Sequence, residues 1–384
     1  MIQFNNLNKQ WLDIKEQATP EIMELFDTSQ FILGPHVQRF EKVFASYSEC
    51  KYGIGVSNGT DAIKIAAKAL GLKHNTHIFM PANTFVATYL AAKEAYPNAK
   101  IHMIDIYEDG SMNLDLLQMN IDQVNSNAII HNESIDKLVI AVHMFGNCDN
   151  LNKIHQICKD TQSKLLEDAS QAHGAMSLDG NIAGSVGDIS AFSFYPGKNL
   201  GAAGDAGIIV TNHKNLYDKC QLLRNYGSTQ KYIHVEEGYN HRLDTIQAII
   251  LYHKLHKLDG WNSQRKAHAA KIIKGITCPL DATNWITPIQ EISQRQVYHI
   301  LPILVSNKST RPNFITYLTK NNIPHGIHYP IPIHKMPFYF NNNDNLPITE
   351  SYADRMVSLP IHPFLSDTEI NSIINTINQF ETEK

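Results

Sequence analysis

Lys198 sits in the glycine-rich stretch Ser193-Phe194-Tyr195-Pro196-Gly197-Lys198-Asn199-Leu200-Gly201-Ala202, directly after an apolar run. Glu167-Asp168 closes an earlier apolar run, with Asp168 30 residues upstream (198 − 168). A lysine amine in a turn, with a carboxylate at the tip of a neighbouring strand, supplies the two groups that pyridoxal phosphate (PLP) chemistry needs. The lysine forms a Schiff base with the cofactor. The acid pairs with the protonated pyridine nitrogen, so the ring acts as an electron sink. A lone lysine in a glycine turn is ordinarily solvated surface, and it is the pairing with Asp168 that singles this one out. Once freed, the same amine can carry a proton, and partial burial beside another cation would lower its pKa into a useful range. Gly197, Gly201, Gly204 and Gly207 allow close backbone approach to a ligand.

The remaining candidates group around these two. Asn58-Gly59-Thr60-Asp61 opens a helix, where free backbone N–H groups make an anion site. Ser193 can add a hydroxyl. Asn240, in Gly238-Tyr239-Asn240-His241-Arg242-Leu243-Asp244, can add an amide from a second subunit, although an isolated loop asparagine ordinarily serves a turn. Phe85, with Tyr89 as the alternative, offers a face to stack on the pyridine ring. Gln171 lies three residues past Asp168 and can bond the phenolic oxygen, but the pair also fits a helix N-cap. His328-Tyr329-Pro330 and His334 either line a substrate pocket or pack structurally. Arg242 either holds an anion or pairs with Asp244. His173 either approaches the cofactor or fills space.

Strands alternate with helices through the first half of the chain: strands near Tyr52–Val56, His77–Met80, Lys100–Ile104, Lys137–Val142, Lys164–Leu166, Ile189–Phe194 and Gly207–Thr211, with helices near Val37–Tyr47, Ala62–Leu70 and Leu151–Lys159. That order predicts an α/β domain with a mainly parallel, doubly wound sheet. Catalytic groups collect at strand C-terminal ends in such sheets, where Asp168 and the Lys198 turn fall. The polar opening segment reads as an arm and a helix over Glu21–Phe26. Residues 120–136 read as an extended surface loop. A long helix around Leu251–Trp261 leaves the large domain. Beyond it, a strand over Val297–Val305, a helix over Arg311–Asn321 and a strand at Ile327–Tyr329 predict a small α+β domain. The expected division is 1–255 and 256–384, with a loop at Asn341–Asn345.

Composition narrows the function classes. The chain has 384 residues, 43% of them hydrophobic, and a net charge of −4. It has no basic patch of the kind nucleic-acid partners require. No apolar run reaches the ~18 residues that span a membrane, and no signal-peptide pattern stands at the N-terminus. Cys50, Cys148, Cys158, Cys220 and Cys278 are odd in number and lack a CxxC pair, so they read as buried thiols in a reducing cytoplasm. The 19 histidines show no metal-ligand spacing, and no metal is expected.

Ordered motifs along nearly the whole chain resemble the DegT/DnrJ/StrS family of nucleotide-sugar aminotransferases. They are Ile32-Leu33-Gly34-Pro35, Asn58 to Ala62, Pro81-Ala82-Asn83-Thr84-Phe85, Asn113-Leu114-Asp115, Glu167 to Ala175, the Lys198 turn, Arg224-Asn225-Tyr226-Gly227-Ser228, Gly238 to Asp244 and Leu359-Pro360-Ile361-His362-Pro363. The resemblance implies the aspartate-aminotransferase fold (fold type I PLP enzymes). It implies that Lys198 is the Schiff-base lysine, Asp168 the pyridinium partner and Gln171 the phenolic-oxygen contact, and that Gly59, Thr60 and Ser193 hold the phosphate. Asn240 matches the asparagine that reaches the neighbouring subunit's phosphate, which implies a homodimer with shared active sites. The lysine motif is similar to that of enzymes aminating C3 of dTDP-linked 3-keto-6-deoxyhexoses; enzymes acting at C4 tend to carry His where Tyr195 stands.

The expected activity is therefore transfer of an amino group from L-glutamate to a nucleotide-linked keto sugar for a surface glycan, with Tyr195, His328 and Tyr329 on the substrate side. A UDP-linked 3-keto sugar acid, a 4-keto sugar and a non-catalytic PLP-binding regulator are the alternatives. A dehydratase of the same fold is disfavoured, since that branch resembles enzymes with His in place of the lysine. The chain departs from the family pattern at Asn147, where Gln is usual, at Ala206, where Gly is usual, and in the length of 120–136.

Overall fold

The computed structural model describes residues 1–73, 75–277, 286–288, 292–339 and 344–380. Cys278 and most of the Asn341–Asn345 tract lie outside the described residues. Seven strands build the large sheet: β1 Tyr52–Val56, β2 Thr76–Pro81, β3 Lys100–Ile104, β4 Asp136–Val142, β5 Lys164–Asp168, β6 Ile189–Ser193 and β7 Gly207–Thr211. Their spatial order is β3-β2-β4-β5-β6-β7-β1. β2 to β6 pair in parallel, while β7 runs antiparallel to both β6 and β1. The structure is thus the expected α/β fold with a mainly parallel sheet.

Side-chain alternation explains the layers. On β4, Val139 and Ala141 enter one core while Leu138 and Ile140 enter the other. The first core is covered by the helices Pro35–Tyr47, Leu114–His131 and Leu151–Asp160, and the second by Gly59–Ala69, Val86–Ala95 and Lys214–Arg224. A short hairpin, β8 Ser228–Gln230 with β9 Ile233–His234, follows the sheet. The chain then enters one helix, Thr245–Gly275, which is much longer than its apolar spacing suggested. The expected boundary after residue 255 falls inside it. β10 Ile286–Pro288, β11 Leu301–Val305 and β12 Met356–Leu359 form a separate antiparallel sheet. The helices Thr310–Lys320 and Asp367–Asn378 share a core with β11 and β12.

Three local expectations are corrected. Residues 120–136 are no extended loop: the helix Leu114–His131 occupies most of the segment. Asn113 caps it by accepting the Leu116 N–H at 3.0 Å. Leu117, Ile121, Val124 and Ala128 are buried on one side at helical spacing, which outweighs the polar residues between them. Ile327–Tyr329 is no strand either. Pairing there is confined to a bridge between Gly326 and Ser358, and Pro330, which lacks an N–H, follows at once. The helix expected over Glu21–Phe26 extends over Lys15–Thr28.

Candidate active site

The C-terminal ends of β4, β5 and β6 converge on a cavity of about 510 Å³. The parallel register places Val142 beside Asp168 and Asp168 beside Ala191. Asp168 is therefore presented at the tip of β5, and the chain leaving β6 carries the lysine turn past it. The turn is closed by Lys198 N–H to Tyr195 O and Ala202 N–H to Phe194 O, both 2.8 Å. Asn199 ties it to the long helix and to the segment that precedes β11, donating to Asn262 Oδ1 at 2.9 Å and Val297 O at 3.0 Å.

Lys198, Asp168, Gln171, Gly59, Thr60, Phe85, Ser193, Tyr195, His328 and Tyr329 all line this cavity. Burial lowers the Lys198 pKa to about 8, with the Asp168 carboxylate opposing that shift. The amine is thereby brought close to neutral-pH proton transfer. Asp168 Oδ2 accepts from the Thr88 hydroxyl at 2.8 Å and Oδ1 from the Ser170 N–H at 3.2 Å. Gln171 Oε1 accepts the Phe145 N–H at 2.7 Å, which turns its Nε2 donor toward Tyr329 Oη at 3.3 Å. Burial pushes the Tyr329 phenol pKa up, so it stays protonated. Burial, reinforced by the Lys198 charge, lowers His328 to about 4. That neutral ring bonds Ser358 Oγ through Nδ1 at 2.8 Å.

The anion end has a built shape. Asn58 caps the helix Gly59–Ala69, accepting the Asp61 N–H at 2.8 Å, and the first intrahelical bond runs from Ala62 to Asn58. The Gly59 and Thr60 N–H groups remain for a ligand. A Cβ on Gly59 would lie 2.5 Å from the Ser193 Cβ, so only glycine lets this helix start meet the end of β6. Gly59, Thr60 and Ser193 line the same cavity, which brings these amides and a hydroxyl to one ligand space.

Other candidates fall outside. Asn240 does not line the cavity; it is exposed and bridges to Asn225. Tyr89 packs on Phe338 and Tyr339, leaving Phe85, half exposed and 5.3 Å from the Tyr329 ring, as the stacking face. His334 is buried and bonds Glu350 at 3.1 Å. Arg242 donates to Asn225 Oδ1 at 3.1 Å rather than pairing with Asp244. His173 is fully buried among Phe44, Phe192 and Phe194.

Sequence reading missed several contributors. Thr84 and Thr88 bond each other at 2.8 Å before Thr88 reaches Asp168; their four-residue spacing at a helix start was the available signal. His143 lines the cavity and bonds the buried Glu167 at 2.8 Å. Burial would raise the Glu167 pKa, but His143 and the Gly184 and Gly187 N–H groups lower it overall. This network anchors the strand tip that carries Asp168. His299, Phe4 and Asn5 also line the cavity, with no local signal in the sequence.

A buried lysine beside a strand-tip carboxylate, with free helix-start amides in the same cavity, is the arrangement of a PLP-dependent aminotransferase of the aspartate-aminotransferase fold. Residues 12–378 match the DegT/DnrJ/EryC1/StrS aminotransferase family, and the chain belongs to that family. It is similar to the dTDP-3-amino-3,6-dideoxy-alpha-D-galactopyranose transaminase of Aneurinibacillus thermoaerophilus, at 35% identity over 99% of both chains. It is 32% identical to the UDP-2-acetamido-2-deoxy-3-oxo-D-glucuronate aminotransferase of Pseudomonas aeruginosa, over 97% of this chain and 98% of that one. A pleiotropic regulatory protein of Geobacillus stearothermophilus is 35% identical over 97% of this chain and 99% of its own. Among solved structures, S. venezuelae DesV in complex with a ketimine intermediate superposes with a TM-score of 0.87 at 30% identity, covering 98% of each chain.

Proposed function

We propose that this sugar aminotransferase moves the amino group of L-glutamate to the C3 ketone of a dTDP-linked 3-keto-6-deoxyhexose. The product would be a dTDP-3-amino-3,6-dideoxyhexose for a surface glycan made in the cytoplasm. The observation that carries the chemistry is the Lys198 amine, lowered to about 8 in the cavity that Asp168 also lines. Support for C3 comes from Tyr195 standing at the cavity and from the 3-amino sugars that relatives are named for. An active-site lysine favours catalysis over a purely regulatory role.

Each residue has a task. PLP, when bound, supplies the electron sink that lets a carbon–hydrogen bond next to nitrogen break. Gly59, Thr60 and Ser193 would hold its phosphate, and Phe85 would offer a face to its ring. Asp168, fixed by Thr88, would accept the pyridine N–H, and the Gln171 amide would donate to the phenolic oxygen. Lys198 Nζ takes a proton from the amino donor's carbon and returns one to the sugar carbon. The low-dielectric walls keep that amine from being permanently charged. Asn240, exposed here, belongs to the partner's phosphate site in a homodimer with shared active sites.

The test begins with enzyme charged by L-glutamate, followed by a dTDP-3-keto-6-deoxyhexose or its 4-keto isomer. Return of the PLP absorbance with the 3-keto sugar alone is expected. Return with the 4-keto sugar alone would move the reaction to C4. Return with neither would direct the search to UDP-linked sugars, as a relative's name suggests.

A further inference from the structure

The N-terminal segment enters the catalytic cavity. Phe4 and Asn5 both line it. The Phe4 ring is stacked on His328, with centroids 6.1 Å apart and planes at 23°. Asn5 donates through Nδ2 to Gly197 O at 3.1 Å, across 192 residues of sequence, onto the residue that precedes Lys198. Its Oδ1 accepts the Asn6 N–H at 2.9 Å, which fixes the amide. Asn6 caps the helix Leu7–Leu12, accepting the Lys9 N–H at 3.1 Å. Ile2 packs against the core shared by β11 and β12. The segment is therefore held on both sides of Phe4.

The same arm reaches the far end of the lysine turn. Gln10, fully buried on the short helix, lies 3.4 Å from Lys254 Nζ, and Lys254 donates to Gly201 O at 2.7 Å. Phe4 lines the same cavity as the proposed phosphate holders Gly59, Thr60 and Ser193, so its ring is available to whatever is attached to the reacting nitrogen. Glutamate is small and charged. A 6-deoxypyranose is larger and presents an apolar C–H face and a methyl group. An aromatic wall discriminates in favour of the second.

We propose that Phe4 is a specificity-determining residue for the sugar half of the reaction, held in place by Asn5 on the lysine turn. The identity of the substrate rests on the function proposed above; the placement of Phe4 rests on geometry alone. Asn5 is a positioning residue that acts through Gly197.

Two half-reactions measured separately test this. Phe4→Ala should leave 2-oxoglutarate release from glutamate within about twofold of wild type. It should lower kcat/KM for the keto sugar by about 10-fold or more, mainly through KM. Asn5→Ala should instead slow both half-reactions through kcat, with partial rescue in Asn5→Gln. A Phe4→Ala variant that loses both halves equally, or neither, overturns the proposal. Placement has its own readout. Bound PLP absorbs where tryptophan emits, so the emission added by Phe4→Trp should be strongly quenched when the cofactor is loaded. Absence of that quenching also overturns the proposal. Failure of wild type with every keto sugar would instead count against the proposed function, and that result appears without any variant.

Discussion

Gly59→Ala tests the proposed phosphate site most directly. The added Cβ would lie 2.5 Å from Ser193 Cβ, 3.0 Å from its Oγ and 3.1 Å from its Cα. Saturated carbons need about 3.5–4.0 Å, so the helix start and the end of β6 must part by roughly 1 Å. For the fold this is a near balance: alanine gains about 1 kcal/mol of helix propensity, and overpacking costs about 1–3 kcal/mol. For the cofactor it is not. Hydrogen bonds from the Gly59 and Thr60 amides to phosphate are charge-assisted, and losing one costs about 1.5–3 kcal/mol. PLP affinity should fall about 10- to 100-fold, while the melting temperature of the cofactor-free protein moves by only a few degrees. Absorbance titration with PLP measures the first, and thermal unfolding the second. A second change separates shape from hydroxyl chemistry. Ser193→Gly removes the clashing Cβ and should recover part of the affinity in the double variant; Ser193→Ala keeps that Cβ and should recover none. Unchanged PLP affinity in Gly59→Ala would refute the close-approach argument, as would equal rescue by Ser193→Ala.

Three further outcomes are expected. Thr88→Val removes the donor to Asp168 Oδ2 at nearly constant volume and should slow the glutamate half-reaction about tenfold, the equivalent of about 1.4 kcal/mol; stopped-flow absorbance checks this. Burial lowers the Lys254 pKa from 10.5 to about 8. The folded state then binds fewer protons than the unfolded state between about pH 8 and 10.5, so stability rises with pH across that window and the cost of the buried charge is fully present below it. Lys254→Met should flatten this rise by up to about 3 kcal/mol in urea titrations of cofactor-free protein, while Lys198, lowered similarly, keeps a residual slope. Finally, inactive Lys198→Ala and Asn240→Ala proteins, unfolded and refolded together at equal concentration, should recover about a quarter of wild-type activity, since half the dimers are hybrids with one intact site each. No recovery would remove the shared-site reading of Asn240.

The sequence by itself picked out the residues that the structure gathers in one cavity. Lys198, Asp168, Gln171 and the Gly59–Thr60 helix start are legible because each depends on local rules: a strand end, a glycine turn, a capped helix. The alternation of strands and helices likewise dictates a parallel sheet, since parallel strands need crossovers. The helix at Leu114–His131 was also encoded locally, in the spacing of Leu117, Ile121, Val124 and Ala128, and was obscured by the asparagines between them. What only the tertiary structure decided is which distant groups meet. Thr88 follows β2, which is separated from β5 by β4 in the sheet, so its bond to Asp168 depends on strand order rather than sequence order. The bond from Asn5 to Gly197 joins residues 192 positions apart. The same long-range packing excludes Tyr89 and His334 from the cavity and admits His299 and Phe4, because an aromatic or histidine side chain carries no local mark of which neighbours will bury it.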